Sequence, residues 1–195
     1  MELFEAIKSR RSVRRYTADA VDDKKVEAIL EAGRWAPSWA NTQCWSFVVV
    51  RDPRVRAGLA DTLMKIKLPD KEVENPGAKA LNTVPVVIVV CAHTGKSGLK
   101  PGPVGGTGEF VTDKGDWFMF DTALAVQNMV LAAHALGLGT VIIGAFDARQ
   151  AEKVLGAPRD VRVVTLFPVG VPAQESKVPP RKELAEIVVK DRWGK

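Results

Sequence analysis

Two short basic clusters and one tryptophan-bearing loop carry most of the side chains that could do chemistry in this sequence. The run Ser9-Arg10-Arg11-Ser12-Val13-Arg14-Arg15-Tyr16 brings Arg10, Arg11, Arg14 and Arg15 close together. Guanidinium forks suit phosphate groups and the polar edges of planar rings. Lys177, Arg181 and Lys182 form a second cluster far away in sequence. Each is too small for a DNA-binding face, but together they are the right size for one phosphate if the fold joins them. The same composition also fits a solvated basic turn. Between them, Ala36-Pro37-Ser38-Trp39-Ala40-Asn41-Thr42-Gln43-Cys44-Trp45 sets two tryptophans among small polar side chains. Loops on rigid supports often carry binding groups. A buried turn closed by Asx-type hydrogen bonds, with Trp45 in the core, is the competing reading.

Other motifs fail on their own requirements. Gly95-Lys96-Ser97 follows an apolar run, where a phosphate-binding P-loop would sit, but Val90 occupies the position of the first glycine and no helix-like pattern follows. Gly137-Leu138-Gly139 comes after a helix pattern and before a strand pattern, the reverse of a dinucleotide fingerprint, and Ile142 stands where the third glycine belongs. Cys91 and His93 alternate at a strand end with too few partners for a four-ligand zinc site. No Gly-x-Ser-x-Gly nucleophile elbow occurs.

The elements that must position the arginines and the loop can be read from periodicity. A first helix spans Met1 to Arg10, with Leu3, Phe4 and Ile7 on one face. Asp22 caps a second, with Val26, Ile29, Leu30 and Gly33 sharing a face and Pro37 ending it. Phe47 to Val50 reads as a strand, and Pro53 opens a third helix whose periodic residues are Val55, Leu59, Leu63 and Ile66. Val84 to Cys91 reads as a buried central strand. Residues 93–115 are a glycine- and proline-rich loop, and Asp116 to Leu136 a helix apolar almost all round, which implies a partner on several sides. Gly137 and Gly139 end it. Thr140 to Phe146 reads as a strand, Asp147 caps a short helix with Gln150 in a capping box, and Val161 to Val171 is a last strand. Leu184 to Val189 is apolar. Strands and helices mix without strict βαβ repetition, which favours an α+β sandwich.

The chain has 195 residues and a formal charge of +5, which suits one domain spanning 1–195 with an excursion at 95–118. Its N-terminus lacks the long apolar core of a secretory signal, and no run reaches the length of a membrane helix. Two cysteines make no disulfide framework, so a reduced, cytoplasmic setting is expected, with no membrane or nucleic-acid partner.

Taken in order, these segments resemble the FMN-dependent nitroreductase family. The Arg-Arg-Ser-x-Arg segment from residue 10 is similar to its first signature, and Ala-Pro-Ser-x-x-Asn-x-Gln-x-Trp at 36–45 to its second. Asp121 to Phe146, with Ala132-Ala133-His134-Ala135-Leu136-Gly137-Leu138-Gly139, resembles its long helix, glycine turn and flavin-edge strand. Val178-Pro179-Pro180-Arg181-Lys182 through Trp193 resembles its C-terminal segment. The resemblance implies a three-layer sandwich with a central, mostly antiparallel sheet flanked by helices, built as an intertwined homodimer. It implies that Arg10, Arg11 and Arg181 hold the FMN phosphate with Lys182 assisting, that Ser12 meets the ribityl chain or ring edge, and that Arg14 approaches the N1–C2=O edge. Pro37, Ser38, Trp39 and Asn41 would line the flavin from the neighbouring subunit. The backbone of Ile143, Gly144 and Ala145 would offer N–H groups to N5 and O4, and Asn75 would meet the pyrimidine edge. Two positions depart from the family pattern: Trp39 replaces a small hydroxyl and would reshape the substrate side, and Cys44 replaces a proline.

The implied activity is hydride transfer from NADH or NADPH, through the flavin, to a nitroaromatic, quinone or similar conjugated acceptor in a ping-pong cycle. The protein supplies placement and electrostatics, so no catalytic side chain and no metal are expected. Trp117 and Phe118 are candidates to stack on the acceptor, or to pack the helix start. The alternatives are a family member with different flavin chemistry, reductive dehalogenation or flavin fragmentation, and a P-loop-like nucleotide-binding protein using Lys96 and Ser97.

Overall fold

The computed structural model describes residues 1–100, 108–174, 176 and 178–194. Helices α1 (Leu3–Ser9) and α2 (Asp23–Arg34) lead through a 3-10 turn at Trp39–Asn41 into strand β1 (Trp45–Val50). Then come α3 (Pro53–Asp61), a hairpin of β2 (Ile66–Leu68) and β3 (Lys71–Val73), α4 (Pro76–Thr83) and β4 (Val86–His93). The chain continues through α5 (Phe118–Ala135), β5 (Gly139–Thr140), α6 (Ala148–Leu155), β6 (Val161–Gly170) and α7 (Leu184–Ile187). The main sheet has the order β1-β4-β6-β5, and its ladders are antiparallel.

Strand β4 shows why there are three layers. Side chains alternate along a strand. Val87, Val89 and Cys91 join one core with Leu59, Leu81 and Ala151 from α3, α4 and α6. Val86, Ile88 and Val90 join a second with Ile29 and Met129 from α2 and α5. An unbroken apolar run thus feeds helices on both faces. In β6 the register against β4 slips where Val90 pairs Thr165 but Cys91 pairs Val163, leaving Val164 as a bulge. The bulge changes the phase, so Val163 and Leu166 face the same core although their spacing is odd.

Three expectations need correction. The third helix stops at Asp61, because the Thr62 hydroxyl donates to the Leu59 carbonyl at 2.7 Å and Leu63 leaves to bridge Phe146. Ile66 therefore opens a hairpin rather than ending a helix, and α4 follows it. Asp116 lies ahead of α5 as a cap, accepting from the Phe118 N–H at 3.1 Å and the Gly95 N–H at 2.7 Å.

The strand read over 140–146 is broken. Gly139 pairs Gly170, Thr140 pairs Val169, and the same register returns only as an isolated bridge between Ile143 and Leu166. Between them Val141 lies opposite Pro168, which has no N–H to donate. Beyond the bridge, Ala145 would face Val164, the bulged residue. Both interruptions come from β6.

The apolar face of α1 points outward: Leu3 is 60% and Phe4 74% exposed. In the tail, Leu184 is 73%, Ile187 58% and Trp193 86% exposed.

Candidate functional site

The basic segment is placed by the sheet edge. After α1 the chain turns at Arg10, and the Val13 N–H donates to the Thr140 carbonyl at 2.8 Å while Ser12 bridges Thr140. A Cβ at Gly139 would lie 2.8 Å from Val13, so glycine permits this close approach. The chain just beyond β6 closes the other side, with Pro172 bridging Tyr16 and the Ala173 N–H donating to the Arg15 carbonyl at 3.0 Å. Ser176 donates its hydroxyl hydrogen to the Ser12 carbonyl at 3.4 Å. A cavity of about 700 Å³ opens here, lined by Arg10, Arg11, His134, Thr140, Gln174 and Ser176 among others. That volume is ample for part of a nucleotide.

The cavity is electrostatically unbalanced. Burial, then the charges of Arg11 and Arg181, lower the pKa of Arg10. Arg181 of the second cluster thus lies near enough to Arg10 to act on it electrostatically. No carboxylate pairs with Arg10, Arg11 or Arg181 among the described residues. Arg11 donates Nη1 to the carbonyls of Lys8 at 2.6 Å and Arg10 at 2.7 Å, while its buried Nε–H has no partner. A buried donor without an acceptor costs about 1–3 kcal/mol. Crowded guanidiniums with an orphaned donor fit a phosphate group. Arg14 and Lys182 are exposed, and Lys177 lies outside the described residues.

The segment at 143–145 offers backbone donors. Ile143 buries its side chain and commits its N–H to the Leu166 carbonyl at 3.0 Å. Gly144 and Ala145 are exposed, and among the described residues their N–H groups make no hydrogen bond. A Cβ at Gly144 would meet open space. Asn75 is close by: its Nδ2 donates to the Met64 carbonyl at 3.3 Å, and the Met64 N–H donates to the Ala145 carbonyl at 3.0 Å. Asn75 is the N-cap of α4, accepting from the Gly77 N–H at 2.9 Å. One amide hydrogen and one carbonyl lone pair of its side chain remain for a ligand.

The Pro37–Trp39 turn hangs from a carboxylate. Asp121, 1% exposed in the first turn of α5, accepts from the Trp39 N–H at 3.1 and 3.2 Å and from the Ser97 hydroxyl at 2.6 Å. Ala40, Asn41 and Gln43 all have positive φ, an unfavourable region for residues with a Cβ. The turn is held by Asp121 and by Ser38, whose Oγ accepts from the Gln43 N–H at 2.9 Å. Trp45 is buried behind it. Asp121→Ala strands buried donors, so it is expected to cost about 2–3 kcal/mol and lower the thermal midpoint by roughly 4–12 °C in a scanning fluorimetry experiment.

Trp39 packs against Trp117 with centroids 5.1 Å apart, and Trp117 meets Phe120 edge-on at 5.0 Å. Phe120 belongs to this aromatic cluster more clearly than Phe118, and the sequence reading missed it. It also missed Asp121, although a lone charged residue within an apolar helix is a signal. Ser97 is committed to Asp121, and among the described residues no helix opens at Gly95–Lys100, so the P-loop reading fails. The 95–118 excursion is anchored at its base, where the Lys100 N–H donates to the Glu109 carbonyl at 2.9 Å. Residues 101–107 of that excursion lie outside the described residues.

The two halves of the site lie at opposite sheet edges. Pro37–Trp39 leads into β1, whereas Ser12 lies beside β5, one position beyond the far edge of the β1-β4-β6-β5 sheet and so four strand spacings away. That is roughly 19 Å at the usual strand separation.

A profile of the Nitroreductase family matches residues 7–171. A protein of Methanothermobacter thermautotrophicus, to which NADH dehydrogenase and NAD(P)H nitroreductase activities are ascribed, is 31% identical over 89% of this chain and 79% of its own. An iodotyrosine deiodinase of Nematostella vectensis is 26% identical over 96% of this chain and 74% of its own. A nitroreductase-like chain from Desulfovibrio desulfuricans, solved in complex with FMN, superposes with a TM-score of 0.74 at 32% identity, covering 100% of this chain and 99% of that one.

Proposed function

We infer, since this chain belongs to the nitroreductase family, that it is an FMN-dependent oxidoreductase acting as a homodimer. The observation that carries the reading is the uncompensated guanidinium cluster with its orphaned Arg11 Nε–H in a cavity of about 700 Å³. Arg10, Arg11 and Arg181 hold the phosphate, with Lys182 at the rim, and Ser12 meets the ribityl chain. Arg14 supplies positive charge to the N1–C2=O edge. Gly144 and Ala145 offer N–H groups to N5 and O4, and Asn75 the remaining hydrogen-bonding capacity of its amide to the pyrimidine edge. Ile143 positions that segment through its bond to Leu166.

Pro37, Ser38, Trp39 and Asn41 complete the pocket from the partner subunit. Two features support this: one chain keeps them at the far sheet edge from Ser12, and the apolar faces of α1 and the tail have no cover. Trp39, Trp117 and Phe120 line the acceptor side, where they exclude water and offer flat surfaces to a conjugated ring. When bound, FMN supplies the redox chemistry, accepting hydride from NADH or NADPH and passing electrons to a nitroaromatic, quinone or similar acceptor in a ping-pong cycle. Two buried free thiols, Cys44 and Cys91, are consistent with a reduced cytoplasmic setting.

A second reading, reductive dehalogenation, is favoured by the deiodinase relative. One experiment separates the two. The purified protein is checked for released FMN, then assayed for NAD(P)H oxidation with nitroaromatics and quinones, and for iodide release from iodinated phenols under a flavin reductant. Bound FMN with turnover of nitro compounds or quinones supports the reductase; iodide release without it supports the dehalogenase. A colourless protein that takes up no FMN overturns both.

A further inference from the structure

His134 lines the same cavity as Arg10 and Arg11 but has no part in the reading above. It occupies the last turn of α5, and its Nε2 lies 2.7 Å from the Ser9 Oγ. The Ser9 hydroxyl donates its only hydrogen to the Glu5 carbonyl at 2.7 Å. Ser9 can therefore only accept from the imidazole, so the network assigns the hydrogen to Nε2 and leaves a bare lone pair on Nδ1. Nδ1 has no hydrogen-bond partner among the described residues. A proton can enter there without disturbing the bond to Ser9.

The charges around the ring set its response. From α1 come Glu5, which favours the cation, and beyond it Arg10 and Arg11, which oppose it. Arg181 adds to the positive field through Arg10. Met1, which carries the chain's amino group, is among the residues lining the same cavity, and Lys25 of α2 donates to the Leu136 carbonyl at 3.2 Å, beside the C-terminal end of α5. Gly137 to Thr140 bring no charge. Burial and the two arginines hold His134 below the ordinary imidazole range. A dianionic phosphate among the same arginines would reverse the sign of that field, and the C-terminal end of α5 already favours a cation.

We propose that His134 is a proton-linked member of the phosphate cradle, holding a proton at Nδ1 more readily when the FMN phosphate enters. The proposal rests on the FMN reading. In the free protein the ring is neutral at pH 7; in the loaded protein it is more often charged. Where pH lies below both values the ring is charged before and after binding and its contribution is complete. As pH rises through the loaded value the contribution is lost, so FMN affinity falls with rising pH. The phosphate's own second ionisation, near 6, acts in the opposite sense and is common to every variant.

The test follows the imidazole directly. With only two histidines in the chain, carbon-edited proton NMR resolves His134 from His93, assigned by His134→Gln. Titrations compare free protein, protein saturated with FMN, and protein with riboflavin, which lacks the phosphate. FMN should raise the His134 midpoint by about 0.5–1 unit, and riboflavin should not. In fluorescence titrations the FMN Kd of the wild type should then rise by up to about three- to tenfold more between pH 5 and 8.5 than that of His134→Gln. Identical His134 midpoints with and without FMN overturn the proposal while leaving FMN binding intact. A protein that binds neither flavin overturns the FMN assignment and this proposal together.

Discussion

Arg10→Met is expected to weaken FMN binding roughly 10- to 150-fold while leaving the flavin-free protein as stable as the wild type, or slightly more so. The two halves of this result have one cause. A charge-assisted hydrogen bond to phosphate contributes about 1.5–3 kcal/mol, and its loss sets the factor. Without phosphate, Arg10 is a partly buried cation beside Arg11 and Arg181, and its lowered pKa records that conflict. Methionine keeps the aliphatic stem and removes the charge. Fluorescence titration gives the affinity, and urea unfolding of stripped protein gives the stability. A variant that binds FMN normally would remove Arg10 from the cradle. One that unfolds more easily without FMN would make Arg10 a scaffold residue.

The second large effect concerns the tail. Leu184→Glu with Ile187→Glu should convert a dimer to a monomer and strip FMN in parallel. Both side chains are well exposed in the single chain, at 73% and 58%, so the fold of each subunit should survive. In a dimer the two substitutions remove apolar burial four times over, at about 1.5–3 kcal/mol each. The dissociation constant should then rise by at least about 10³-fold. Sedimentation velocity reads the mass, and circular dichroism checks the fold. A variant that remains dimeric, or a wild type that is monomeric with full FMN, would refute the assignment of the tail to the interface.

Much of the fold was legible because long periodic elements advertise themselves. The unbroken apolar run of β4 and the Gly137 turn are read from residues alone. The hairpin at 66–73 was not, although Pro69-Asp70 is a turn signal, because Leu63 and Ile66 continued the spacing of α3. Asn75-Pro76 is a cap followed by a first-turn proline, but the family resemblance drew attention to Asn75 as a ligand and away from its helix. The basic clusters were visible as chemistry, whereas their approach needed the chain just beyond β6 to run along Arg15. Asp121 was hidden for a different reason: its importance lies in donors from residues 39 and 97, and no local pattern relates those to it.

The broken ladder between β5 and β6 has a consequence for handling the protein. Pro168 and the Val164 bulge interrupt pairing along β6, and among the described residues the amides of Gly144 and Ala145 have no hydrogen-bond partner. Uncommitted donors at the margin of a sheet are also what an intruding chain can pair with. Preparations stripped of flavin should thus be the ones that clump on storage, with the ligand serving as a chaperone for its own seat.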